Sequence, residues 1–252
     1  MKFFWVWRGK RIKQSMVIIA AAFFAALILF VEGRDLAVFT SNGTPLAVDQ
    51  VKSQGKQLAL TFDISWGETK AIPILEELNK QNISASFFIS GAWAERHPEI
   101  VEQIVKGGHE IGSLGYRYEN YTSMEDIEIR KDIIRAQEAI KKVSGVQTEL
   151  IRPPNGNFNK RVLEVSNKLN HTVIHWSLDS NDWKNPGATE IITNVVKEAH
   201  SGDIILLHAS DSAKQTSAAL PELITQLKKK GYELVTVNEL ISNANINSKE
   251  VK

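Results

Sequence analysis

Residues Gln57-Leu58-Ala59-Leu60-Thr61-Phe62-Asp63 decide how this chain folds. Polar and apolar positions alternate poorly along the run. A strand with one wet face alternates; a strand covered on both faces does not, and the central strands of parallel sheets are of that kind. The run ends on a carboxylate. An ionised Asp leaving such a layer needs a partner.

Working outward, further strand-like runs fall at 84–89, 110–113, 149–152, 172–178, 203–208 and 233–237. Amphipathic helical stretches lie between them. The clearest is 124–143, with apolar Ile127, Ile133, Ile134 and Ile140, a capping box expected at Thr122-Ser123-Met124-Glu125, and Gly145 after its end. Strands alternating with helices predict a parallel α/β sheet. Seven such units favour a closed, irregular barrel over a doubly wound sheet, and no Gly-rich dinucleotide fingerprint is present.

The chain of 252 residues has room for one sizeable domain and an appendage. Its net charge of +1 gives no electrostatic footprint for nucleic acid. It has no Cys, which excludes disulfides, thiolate zinc sites and thiol nucleophiles. Lys2, Arg8, Lys10, Arg11 and Lys13 precede an uncharged apolar run at 16–31. That run is near the short edge of a membrane span of about 20 residues. It ends Leu27-Ile28-Leu29-Phe30-Val31, a poor signal-cleavage site. A retained transmembrane signal-anchor is the favoured reading, with a cleaved signal and a buried helix as alternatives. The positive-inside rule puts 1–15 in the cytoplasm as a basic tail and the rest outside. A stalk is expected over 32–55, the α/β domain over 56–243 and a polar tail over 244–252.

Charged and polar residues gather at the predicted strand ends: Asp63, Arg152, Asp179, Asp182 and His208. In a barrel these ends converge on one rim, where active sites form. Arg152 is the natural partner for Asp63, because a guanidinium matches a carboxylate bidentately. His208 has an ordinary pKa of about 6.5, suited to proton donation. A structural ion pair and a hydrogen-bonded core histidine are the plainer readings. His171 and His175 have helical ligand spacing, but Thr172-Val173-Ile174 favours a strand, in which they would lie about 13 Å apart.

Five segments carry a family resemblance: Thr61-Phe62-Asp63, Gly108-His109-Glu110-Ile111-Gly112, Arg152-Pro153-Pro154-Asn155-Gly156, Asp179-Ser180-Asn181-Asp182-Trp183 and Leu206-Leu207-His208. Together they resemble the NodB-homology polysaccharide deacetylases (carbohydrate esterase 4-like). These remove acetyl groups from N-acetylated amino sugars in chitin-type and peptidoglycan-type glycans. The resemblance implies a distorted (β/α)7 barrel over 56–243. It implies Asp63 as general base held by Arg152, and His208 as general acid, with Asp182 its first-choice partner and Asp179 the second. By the same resemblance the Asn155 backbone amide is an oxyanion donor. Trp183 walls the substrate groove and Trp66 narrows it. The segment Phe62-Asp63-Ile64-Ser65-Trp66-Gly67 resembles the sporulation-associated PdaB-type branch, which implies a peptidoglycan-type glycan.

Zinc is the family metal, but this sequence departs from its ligand pattern. The family's second Asp is here Ile64, and its two His, four residues apart, are Leu114 and Tyr118. Isoleucine and leucine cannot coordinate zinc, so no cofactor is expected. A noncanonical set of Asp63 with His109 or His208 is the remaining metal alternative. Two functions follow. One is a membrane-anchored cell-envelope hydrolase of the C–N amide bond in N-acetylated amino-sugar glycan. The other is a catalytically impaired glycan-binding or scaffold protein.

Overall fold

The central strand, β1 (Gln57–Ile64), is buried along nearly all its length. Its even-numbered residues Leu58, Leu60, Phe62 and Ile64 enter a layer shared with Ile74 and Leu78 of α1 (Ala71–Lys80). Leu223 and Ile224 of α7 (Thr216–Lys229) complete that side. Ala59 enters a second layer with Phe88, Leu114, Leu150, Ile174 and Ile204. Alternate side chains of one strand thus serve an outer, helix-facing layer and an inner one. Each fully buried Leu, Ile or Phe stabilises the fold by roughly 1.5–3 kcal/mol. The computed structural model describes residues 40–41, 44–52 and 55–250. The apolar run at 16–31 and its basic flank lie outside these residues. Among those described, no helix is long and apolar enough to cross a membrane.

The other strands of its sheet are β2 (Ser86–Ile89), β3 (Glu110–Ser113), β4 (Leu150–Ile151), β5 (Thr172–Val173), β6 (Leu178–Asp179), β7 (Ile204–His208) and β8 (Glu233–Val235). The sheet order is β5-β4-β3-β2-β1-β7-β6, all parallel, with β8 beside the start of β1. The intervening helices are α2 (Gly91–Arg96), α3 (Pro98–Lys106), α4 (Asp126–Ser144), α5 (Lys160–Lys168) and α6 (Ala188–Glu198). A final helix, α8 (Val237–Glu250), follows β8.

The closed barrel expected from the sequence is not what forms. The described sheet is a curled, open parallel half-barrel. The run 172–178, expected as one strand, is split: β5 pairs with β4, and β6 pairs with β7. Between them the backbone turns to the segment before β1. Val48 N–H donates to the Val173 carbonyl and His175 N–H to the Val48 carbonyl, each at 2.8 Å. That segment satisfies groups that a closed ladder would have used.

Two helix ends also differ from expectation. Thr122 and Ser123 belong to a 3-10 turn, Tyr121–Ser123, so α4 starts at Asp126. The capping box is Glu125 with Glu128, whose carboxylate accepts the Glu125 N–H at 3.1 Å. The last strand stops at Val235 because Thr236 caps α8, its N–H donating to Glu239 at 2.8 Å. That helix runs into the segment expected as a polar tail.

Candidate active site

Strand register sets the first contact. Asp63 of β1 is paired with His208 of β7, so the two side chains leave one side of the sheet about 4.8 Å apart at the backbone. Arg152 follows β4 directly, its N–H bonded to the Ser113 carbonyl at 2.8 Å. Its Nη1 donates to Asp63 Oδ1 at 2.7 Å and its Nη2 to the His175 carbonyl at 3.1 Å. The guanidinium lies 4.2 Å over the Phe88 ring and 5.5 Å from that of Trp176. Arg152 is 0% exposed and Asp63 6%. Burial at that depth is tolerable because carboxylate, carbonyl and two ring faces all receive the cation.

The second pair is built the same way. Asp182 is buried in a 3-10 turn, Asp182–Lys184, entered through left-handed Asn181 at φ 58°. Its Oδ1 meets His208 Nδ1 at 2.7 Å. Its Oδ2 accepts the His208 N–H at 2.7 Å and the Thr216 hydroxyl at 2.6 Å. One carboxylate therefore fixes the ring, the strand end and the start of α7. A proton on Nδ1 is assigned by that bond, which leaves Nε2 outside the pair. Burial disfavours the His208 cation. The hydrogen bond and charge of Asp182, with Asp63 and Asp179 nearby, outweigh burial and raise its pKa above the ordinary value.

The choice between Asp182 and Asp179 is resolved by geometry. Asp179 Oδ1 accepts the Asn181 N–H at 2.8 Å and its Oδ2 the Trp183 indole N–H at 3.2 Å, so it orients the loop and the indole. Trp183 is 49% exposed and Trp66 52%. Both of their loops are tied to the 210–212 segment: Ser65 N–H donates to Ser210 Oγ at 3.0 Å, and Asn185 Nδ2 to the Ser212 carbonyl at 2.9 Å. Asn155 is left-handed at φ 57°, its side chain exposed, in the turn Pro154–Gly156. Thr216, Ser210 and the His175 carbonyl support the site without any motif to announce them. A threonine at a helix start, or one carbonyl among many, carries no sequence signal.

The three residues that the sequence resemblance sets opposite the family's ligands offer a poor donor set for zinc. Ile64 is fully buried in the outer layer and Leu114 in the inner one, and neither has a donor atom. Tyr118 is half-buried. Burial, and then the charge of Asp63, push its phenol up to about 12, so it stays protonated at neutral pH. His109 cannot join Asp63. It sits before β3, at the other end of the sheet, where Nδ1 accepts the Ala85 N–H at 3.3 Å. Burial lowers its pKa to about 4. Among the described residues, the His/Asp/Glu group with convergent ligating atoms is Glu68, His97 and Glu99, near the start of α3.

The polysaccharide deacetylase family profile matches residues 50–174. A peptidoglycan-N-acetylglucosamine deacetylase of Bacillus cereus is 35% identical over 195 residues, covering 76% of this chain and 91% of that protein. The uncharacterized protein YlxY of Bacillus subtilis is 31% identical over 189 residues; the match covers 75% of this chain but 58% of YlxY. Among solved structures, BA3943 of Bacillus anthracis is described as a CE4 family pseudoenzyme. It superposes with a TM-score of 0.75 at 28% identity, covering 79% of this chain and 70% of its own. A mutant of it is described as having restored enzymatic activity. By sequence and by fold, the chain belongs to the polysaccharide deacetylase family.

Proposed function

We propose that the chain is a cell-envelope hydrolase that removes acetyl groups from N-acetylated amino sugars of a peptidoglycan-type glycan, without a resident metal ion. One observation carries the reading. Asp63 and His208 stand at the same register on adjacent strands, each held by a dedicated buried partner. In the reaction Asp63 takes a proton from water as its oxygen adds to the acetamide carbonyl carbon. Arg152 holds that carboxylate in place. As the C–N bond breaks, His208 Nε2 gives its proton to the departing nitrogen, leaving acetate and a free amine. The raised pKa of His208 keeps that proton available. Trp183 and Trp66 offer exposed indole faces to the apolar face of a sugar ring.

The chain is held at the cell membrane by 16–31 as a single-pass anchor, with the catalytic domain on the outer side. That reading rests on the apolar run and its five basic neighbours. The motif at 62–67 supports a role in sporulation. A second reading, glycan binding without turnover, is favoured by the apolar burial of Ile64 and Leu114.

Acetate release from N-acetylglucosamine oligomers and from peptidoglycan, with zinc added and with chelator, separates the readings. Slow release indifferent to chelator, and abolished in Asp63→Asn and His208→Ala, is the expected result. Glycan binding with no acetate at all would establish the second reading. Release stopped by chelator would place an ion on a different ligand set.

A further inference from the structure

Each of α1, α3, α4, α5, α6 and α7 carries lysine in its last turn. These helices run back from the rim to the start of the next strand. Their last turns therefore share the face opposite Asp63 and His208. The helix dipole favours a cation at a C-terminus, which accounts for one lysine in each place. It does not account for Lys56, which stands before β1, or for the run Lys228-Lys229-Lys230.

Those four lysines are drawn together with Lys80 and Lys197. Lys56 Nζ donates to the Lys230 carbonyl at 3.2 Å. Lys228 Nζ donates to the carbonyl of Gln81, next to Lys80, at 3.2 Å. Lys230 Nζ donates to the carbonyl of Val196, next to Lys197. All six side chains are exposed. A carbonyl positions an ammonium group without neutralising it. The carboxylates among them are Glu77, 3.6 Å from Lys80, Glu198, 3.9 Å from Lys197, and Glu233, which accepts from Gln57 Nε2 at 2.8 Å. Six lysines thus face three carboxylates, and the face stays net positive.

The same face receives the chain as it enters the domain. Val51 N–H donates to the Gly202 carbonyl at 2.9 Å and Gln50 Nε2 to Asp203 Oδ1 at 2.7 Å, both just before β7. Residues 32–43 join that entry segment to the apolar run at 16–31, and fully extended they span at most about 43 Å. Where the run is a membrane anchor, a lipid surface stays within reach of the lysines.

We propose that this lysine face docks on an anionic lipid surface and turns the rim of Asp63 and His208 away from it, toward the glycan. The inference rests on the membrane reading above and deepens it. Lysine suits such a partner, because its ammonium is a point charge on a flexible stem and not the fixed fork of arginine. A fluid array of headgroup phosphates needs charge more than shape. The attraction falls off within a Debye length, about 8 Å at physiological salt, so docking is lost as salt rises.

The test uses the full chain in lipid nanodiscs, one set of phosphatidylcholine and one that also contains phosphatidylglycerol. Lysines are briefly acetylated and read residue by residue by mass spectrometry. In the anionic discs the six lysines should react about fivefold more slowly than in the neutral ones. Lys214, exposed beside Asn185 in the rim loops, should react alike in both. High salt should abolish the difference. With Lys56, Lys228, Lys229 and Lys230 all changed to Gln, Lys80 and Lys197 should also react alike in both. Equal reaction of the six in both lipids, slowing that persists in high salt, equal slowing of Lys214, or slowing of Lys80 and Lys197 that survives the fourfold change would each overturn the docking and leave the anchor standing. Slowing by soluble polyphosphate in neutral discs, with none from anionic lipid, would overturn it in favour of an anionic polymer. A chain that does not enter the discs would overturn anchor and docking together.

Discussion

Asp63 and Ile64 are neighbours in β1 and both are buried, yet they are buried in different ways. Asp63 faces inward and is held by named partners: Arg152 at 2.7 Å, with His208 beside it in register. Ile64 faces the helices and is held by packing with Ile74, Leu78 and Leu207. A buried charge depends on one geometry, whereas a buried alkyl group depends on area and shape. The half of the site built from Asp63, Arg152, Asp182 and His208 is therefore a polar network, and the positions that the resemblance sets opposite the family's ligands are packed largely as core. The two halves should fail differently when altered.

Ile64→Asp should show the largest effect. It removes a fully buried side chain and places a carboxylate in an apolar layer with no cation. The expected loss is about 5 kcal/mol, read from urea or guanidinium unfolding. A loss under about 2 kcal/mol would mean that the end of β1 can turn this position inward. Restoring the family ligands with Leu114→His and Tyr118→His therefore has to be attempted with zinc present, so that binding energy offsets that loss.

Arg152→Ala tests the polar half, where leaving Asp63 buried and unpaired should cost about 3–5 kcal/mol. The sharper comparison is the double change Arg152→Met with Asp63→Leu, which removes both charges and keeps volume. It should cost clearly less than Arg152→Ala, because no orphaned charge remains. A double change as costly as the single one would show that the loss comes from packing over Phe88 and Trp176 rather than from the unpaired carboxylate.

Asp182→Asn comes next, at about 2 kcal/mol, since three hydrogen bonds converge on that carboxylate. It should also change the pH dependence. Folding raises the His208 pKa above 6.5, so His208 contributes stability that is fully present below 6.5 and is lost as pH rises through the folded value. The variant should flatten that loss and bring the imidazole titration down, measured by NMR. An unchanged titration would mean that Asp63 and Asp179, not Asp182, set the His208 proton.

Much of this was legible in the sequence because burial leaves a pattern. The poorly alternating run at 57–63 marked a strand covered on both faces, and the charged residues at four of the strand ends marked one rim. Arg152 could be matched to Asp63 because a buried carboxylate has few possible partners. What the sequence hid depends on other parts of the chain. The split of 172–178 needs Val48 to pair with Ile174, and nothing in either segment announces the other. Tyr118 is left-handed at φ 61°, in a loop bonded on both sides to Asp132 of α4. The separate tasks of Asp179 and Asp182 depend on the left-handed turn at Asn181, which reorients the chain between them.

Trp183→Ala should show the smallest effect on stability and the clearest separation of stability from binding. The indole is half exposed, with its N–H on Asp179 Oδ2 at 3.2 Å and the Lys184 ammonium 4.8 Å over the ring. Surface contacts of this kind are usually worth within about 0.5 kcal/mol. The indole does not touch the Asp182–His208 pair, so the His208 titration should not move. If the ring packs on a sugar, however, affinity for an N-acetylglucosamine oligomer should fall by about 0.5–1.5 kcal/mol, the usual range for such aromatic contacts. Asp179→Asn should give a weaker version of the same result, because it loosens the indole without removing it. Full affinity in both variants would take Trp183 out of the groove and leave Trp66 as the exposed indole on which the sugar packs.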